Sequence, residues 1–205
     1  MYKKSLLTTS LLFSSSLLFG ANISKEDCSK KCDNYIFAGN ECIQYHKSKG
    51  DIEDALNIVV HGTWKEGTNT LARYAPFAEN LSLQTDITTV AVALPGYSGS
   101  SSNNFEALAH EGAGNLSVKR EYIEFLASLV ESLKEKFNAS KVTYIGHSAG
   151  CTMGATMTGL NIHLVNNLVC AGGVYNIHAS LQIPCGPAGL RMGFLNWVDR
   201  RCWWR

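Results

Sequence analysis

Apolar and polar positions along this chain alternate between two periods. Asn34–Phe37 and Glu41–Tyr45 are short runs on either side of Ala38-Gly39-Asn40, a spacing that predicts a hairpin. Ala55–Val60 is a β-branched run stopped by His61-Gly62, and Ile87–Leu94 is another, ended by Pro95-Gly96. Between them, Leu71–Leu83 has apolar residues at helical spacing. Ser117 is placed to cap a helix reaching Phe137, with Val118, Tyr122, Phe125, Leu126, Leu129 and Leu133 along one face. Lys141–Ile145 predicts a strand, Ala149–Leu160 a helix of small residues, and Leu168–Val174 a strand. A hairpin followed by alternating strands and helices predicts an α/β fold: a three-layer sandwich with a mostly parallel sheet between helices. Ligands of such sheets sit at the carboxyl ends of the strands, so the loops at 61–67, 95–104 and 146–150 are expected to converge.

Composition narrows the class. The 205 residues are 45% hydrophobic and 17% charged, with formal net charge +1. This suits one domain with a core, excludes a disordered chain, and argues against a nucleic-acid partner. Lys3 and Lys4, the apolar, serine-laced stretch Leu6–Phe19, and Gly20-Ala21 read as a secretory signal peptide over residues 1–20. An exported protein is therefore expected, periplasmic or extracellular, with membrane contact only through that segment if it stays uncleaved. The seven cysteines leave at least one thiol unpaired. Cys28, Cys32 and Cys42 cluster where they could staple the entry to the domain. Cys151 and Cys170 lie in apolar runs and read as small buried hydrophobes. No finger-like spacing of Cys and His points to zinc, and no phosphate or dinucleotide fingerprint is present, so neither a metal nor a cofactor is expected.

Candidate chemistry centres on Gly146-His147-Ser148-Ala149-Gly150, which fits G-x-S-x-G between a strand and a helix. Such a turn needs very small residues two places before and after the nucleophile, because strand and helix nearly touch there. Ser148 is the candidate nucleophile. A second segment, His61-Gly62-Thr63-Trp64, follows a buried strand. The backbone N–H of Thr63 or Trp64 could join that of Ala149 to form an oxyanion hole. His61 reads as a residue that holds this loop by hydrogen bonds. Leu94-Pro95-Gly96-Tyr97-Ser98-Gly99-Ser100-Ser101 is expected at the cleft rim.

Together these segments resemble the α/β-hydrolase superfamily over residues 34–178, with Gly172–Asn176 similar to the strand after the nucleophile helix in carboxylesterase-like members. The resemblance implies sheet order 1-2-4-3-5-6-7-8 and Ser–Asp/Glu–His catalysis through an acyl-enzyme on a small-molecule acyl substrate: an ester, thioester or amide. The chain departs from that pattern after Ser148. Its only later carboxylate is Asp199, and its only later imidazoles are His163 and His178. His163 falls near the end of the nucleophile helix, too far to act. His178 is the remaining base candidate, although it comes early in the chain for that role. Asn176 lies where an acid could, but an amide does not stabilise an imidazolium as a carboxylate does. From residue 191 the chain has four Arg and no Lys, and it holds three of the four Trp. The expected organisation is a signal peptide at 1–20, an incomplete hydrolase domain at 21–190 and an atypical Arg/Trp-rich tail at 191–205. On this reading the family's strands 7 and 8 are missing, through a shifted frame or a lid region cut short, and turnover is weak or absent. The alternative is a non-catalytic pseudoenzyme or binding protein on the same fold.

Overall fold

The computed structural model describes residues 22–110, 116–160 and 163–173, and the backbone of 191–194. The elements run α1 (Lys25–Ser29), β1 (Tyr35–Ala38), β2 (Glu41–Ser48), β3 (Ile52–Val60), α2 (Thr70–Thr85), β4 (Ile87–Val92), a 3-10 turn (Leu116–Val118), α3 (Arg120–Lys136), β5 (Lys141–His147), α4 (Ala149–Gly159), β6 (Asn167–Ala171) and β7 (Arg191–Phe194). The strands form one sheet in the order β1-β2-β4-β3-β5-β6-β7. The β1/β2 and β2/β4 pairs are antiparallel, and the remaining pairs are parallel. Residues 1–20, Asn176, His178, Cys185, Cys202 and the tail beyond Phe194 lie outside the described residues.

Side-chain alternation on the central strands assigns the layers. Leu56, Ile58, Val60, Val90, Val92, Val142 and Tyr144 share a core with α3 and α4. Val59, Ala91 and Ile145 face the other way, against Ala78, Leu71, Tyr74 and Leu81 of α2. This is the predicted three-layer sandwich. Helix α3 buries Tyr122, Ile123, Phe125, Leu126, Leu129, Val130 and Leu133, a stripe at the spacing of one helical face. Ser117 does not cap it. The residue is buried in the 3-10 turn, and Lys119 takes the N-cap place without a side-chain capping bond to the helix. Helix α2 is capped by the Asn69 side chain, which accepts from Ala72 N–H, and it ends at Asp86 in left-handed conformation.

Two further features depart from the sequence pattern. The run Arg191-Met-Gly-Phe194 is short, contains a glycine and has no β-branched residue, and no strand is expected there. It nevertheless pairs in parallel with Asn167–Cys170 in the seventh place. No eighth strand occurs among the described residues. Cys151 and Cys170 are buried, as expected, but they are joined as a disulfide that ties α4 to β6. Packing of the crossover helix on the strand after it brings the two cysteines together, with Cα atoms 5.0 Å apart. Cys28–Cys42 staples α1 to β2, and Cys32 is free and exposed.

Two buried polar side chains shape the loops at the carboxyl ends of the strands. The Glu41 carboxylate is fully buried. It accepts from Asn103 N–H at 2.9 Å, Asn104 N–H at 2.6 Å, Phe105 N–H at 3.1 Å and the Ser101 hydroxyl. One side chain of β2 thus holds the loop after β4. His61, at the end of β3, is also buried. Its Nε2 accepts from Leu94 N–H at 3.0 Å, so Nδ1 carries the proton and donates to the Gly62 carbonyl at 2.7 Å. Burial, only partly offset by the Gly62 bond, lowers its pKa from 6.5 to about 4. The neutral ring therefore ties the end of β3 to the end of β4.

Replacing Glu41 by Gln turns one acceptor into a donor that faces other donors. The variant is expected to lose about 2–3 kcal/mol of unfolding free energy in urea titrations; an unchanged midpoint would contradict this account of the loop. For His61 the folded state favours the neutral ring. Its contribution is complete above pH 6.5 and is lost as pH falls toward 4. Wild-type stability is expected to drop across that window by up to about 3 kcal/mol from this group. His61→Gln, less stable at neutral pH, should lack that part of the slope, and equal slopes would refute the assignment.

Candidate active site

The turn from β5 into α4 is forced by contacts that only glycine permits. A side chain at Gly146 would meet Cys151 N at 2.5 Å, and one at Gly150 would meet the Val60 carbonyl oxygen at 2.4 Å. Helix α4 therefore starts pressed against the carboxyl ends of β5 and β3. Ser148 is held at φ 53° and ψ −117°, a conformation L-residues rarely adopt. Its own N–H donates to the Ala171 carbonyl of β6 at 2.8 Å, which fixes the bend from the opposite side. The side chain is half-buried, and its hydroxyl makes no capping bond to the helix. Ala149 N–H, at the first position of α4, has no intrahelical acceptor.

The loop after β3 reaches this bend. A side chain at Gly62 would come within 2.7 Å of Ser148 Cβ and 3.2 Å of Ser148 Oγ, so the bare backbone of Gly62 lies against the serine. Of the two expected donors in this loop, Trp64 N–H points to the Tyr97 hydroxyl at 3.4 Å, and that hydroxyl donates to the Trp64 carbonyl at 2.7 Å. Thr63 N–H has no hydrogen-bond partner among the described residues, and Thr63 is exposed. Of the two, Thr63 is thus the residue whose amide has no hydrogen-bond partner among the described residues. Burial raises the pKa of the Tyr97 hydroxyl, which keeps it a neutral clamp on Trp64. The loop after β4 joins the group through Gly67 N–H to Gly96 O at 3.2 Å and Ser98 N–H to Thr68 O at 3.1 Å. All three expected loops converge.

His61 uses both ring nitrogens, one on Gly62 of its own loop and one on Leu94 after β4, which matches its expected holding role. His147 is exposed, and its Nδ1 is paired with the Tyr74 hydroxyl at 2.7 Å. His163 is exposed beyond the far end of α4, so the length of an 11-residue helix, about 16 Å, separates it from Ser148. His178 lies outside the described residues. Sequence reasoning missed Tyr74 and Arg73, neighbours on the first turns of α2. The Arg73 guanidinium sits 4.4 Å above the Trp64 indole, and Trp64 Nε1 donates to the Tyr74 hydroxyl at 3.3 Å. Trp64 therefore packs the loop, held on its face and at its edge.

Glu66, Glu106 and His110 bring ligand-type atoms within 4.8 Å of one another, with His110 Nδ1 2.9 Å from Glu66. All three are exposed, and exposed acidic groups commonly lie together without an ion. No helix among the described residues is long and apolar enough to cross a membrane.

Comparison with known proteins agrees with this fold. A profile of the alpha/beta hydrolase fold matches residues 58–200. No match was found among curated proteins. Among solved structures, Est1E from Butyrivibrio proteoclasticus with bound ferulic acid superposes with a TM-score of 0.54 at 15% identity, over 71% of this chain and 55% of that one. CarC, a serine hydrolase involved in carbazole degradation, gives 0.50 at 17% identity, over 68% and 47%. A membrane phospholipase A described as a bacterial virulence factor gives 0.50 at 17%, over 68% and 39%. This chain thus spans 39–55% of the length of those structures, and the likeness at such identities is one of fold. With a profile match over most of its length, a sheet in the implied order and a serine at the strand–helix bend, the chain belongs to the alpha/beta hydrolase fold family.

Proposed function

We propose that this protein is an exported serine hydrolase that cleaves an ester, thioester or amide through an acyl-enzyme at Ser148. The observation that carries the reading is the contact between the Gly62 backbone and Ser148, which puts a loop whose Thr63 amide has no partner among the described residues next to a serine hydroxyl that makes no helix-capping bond. In this mechanism Ser148 Oγ bonds to the acyl carbon. The carbonyl π electrons move onto oxygen, where the N–H groups of Thr63 and Ala149 receive them. Collapse expels the leaving group with a proton, and water then releases the acyl group from Oγ. The serine proton passes to an imidazole, for which His178 is the candidate in this sequence. Asp199 is the one carboxylate after Ser148 in this sequence. A non-catalytic binding role on the same fold is the alternative, and one experiment separates the two.

A fluorophosphonate reports on the nucleophile without needing deacylation: Ser148 Oγ bonds to phosphorus as fluoride leaves. Labelling of the folded protein, located at Ser148 by peptide mass spectrometry and abolished in Ser148→Ala, is expected. A folded sample that stays unlabelled favours the binding role. Gly62→Ala forces a methyl group against Ser148 and pushes the Thr63 amide away. It is expected to slow labelling about 100-fold, the usual cost of one oxyanion donor. A rate equal to wild type would remove this loop from the site.

A further inference from the structure

Three segments meet at the hydroxyl of Tyr74. Trp64 Nε1–H can only donate, and Tyr74 Oη receives it at 3.3 Å. The same hydroxyl is hydrogen-bonded to His147 Nδ1, 2.7 Å away, as donor or acceptor according to the His147 tautomer. The path runs from the residue after Thr63, through α2, to the residue before Ser148. Among the described residues it is the one side-chain hydrogen-bond path from the 61–67 loop to the bend. Other ties of that loop, His61 to Leu94 and Tyr97 to Trp64, lead to the end of β4 instead. Tyr74 comes from a firmly seated element: α2 packs Leu71, Ala78 and Leu81 on the sheet, and the Tyr74 ring lies 5.9 Å from both His61 and His147. The free face of Trp64 is covered by Arg73.

We infer that Tyr74 is a positioning residue whose hydroxyl, by joining Trp64 to His147, sets the spacing between the amide donors of Thr63 and Ala149. Its catalytic consequence rests on the hydrolase reading above, whereas the spacing itself does not. Removing the hydroxyl leaves the aromatic ring, the β3/β5 ladder and the Gly62 contact in place, so the fold persists. The loop then loses its tie to the bend, and the two amides drift from a common point. Interactions made only in the transition state suffer, and ground-state binding does not.

The test compares wild type with Tyr74→Phe and His147→Leu, which break the same path at different atoms, by amide NMR and by fluorophosphonate labelling. In both variants the Trp64 indole, Thr63 and Ala149 N–H signals are expected to shift or broaden together. Thermal midpoints should stay near wild type, and Ser148 labelling should slow about tenfold, a fraction of the loss from removing a donor outright. With an activated ester, should one be turned over, kcat falls and KM stays. Variants whose Thr63 and Ala149 signals match wild type, with only the indole moved, overturn the inference. The absence of labelling in wild type itself defeats the hydrolase reading instead, and the amide signals still decide the role of Tyr74.

Discussion

The close approach of α4 to the carboxyl ends of β3 and β5 is the constraint from which the rest of the site follows. It exists because Gly62, Gly146 and Gly150 have no side chains, where Cβ atoms would meet neighbours at 2.4–2.7 Å. Once strand and helix are that near, Ser148 has no choice but the left-handed half of backbone space. A strained residue of this kind costs about 1–3 kcal/mol, which the surrounding structure must offset. Here the offset comes from both sides: the Ser148 N–H is taken up by β6, and the helix is locked to β6 by a disulfide. The bend presents a hydroxyl and an adjacent amide in one short stretch of chain.

The remaining loops are held by buried polar groups rather than by regular ladders. Glu41 gathers three amides and a hydroxyl from the loop after β4. His61 bridges the ends of β3 and β4 as a neutral ring, and Tyr97 clamps the Trp64 peptide from below. A buried polar group with all its partners costs little, while one stripped of a partner costs a great deal. The cleft is therefore shaped by a few residues that tolerate little change, although none of them is proposed to touch a substrate.

How much of this could be read from the sequence depended on the range of the interaction. The strand–bend–helix at 141–160 was legible because its glycines and its nucleophile are neighbours in the chain. The α3 stripe and the parallel order were legible because burial imposes a period. Glu41 was not, since its partners lie some 60 residues away and nothing in Glu41-Cys-Ile-Gln-Tyr45 distinguishes its carboxylate from a solvated one. Tyr74 reads as one more aromatic on a helix; only the fold reveals that its hydroxyl falls between Trp64 and His147. Cys151 and Cys170 looked like core residues, and they are, but the apolar runs around them hid their bond. The seventh strand was invisible because Arg191–Phe194 is only four residues long and has no β-branched residue, although it pairs with β6.

The Cys151–Cys170 bond has a further consequence. It encloses α4 and the return to β6 in a covalent ring with a sequence separation of 19. Heat or denaturant opens every hydrogen bond in that ring but not the ring itself, so the start of α4 and β6 stay joined. The denatured chain therefore begins each refolding attempt with this segment already looped, and its search for the native crossover is correspondingly short.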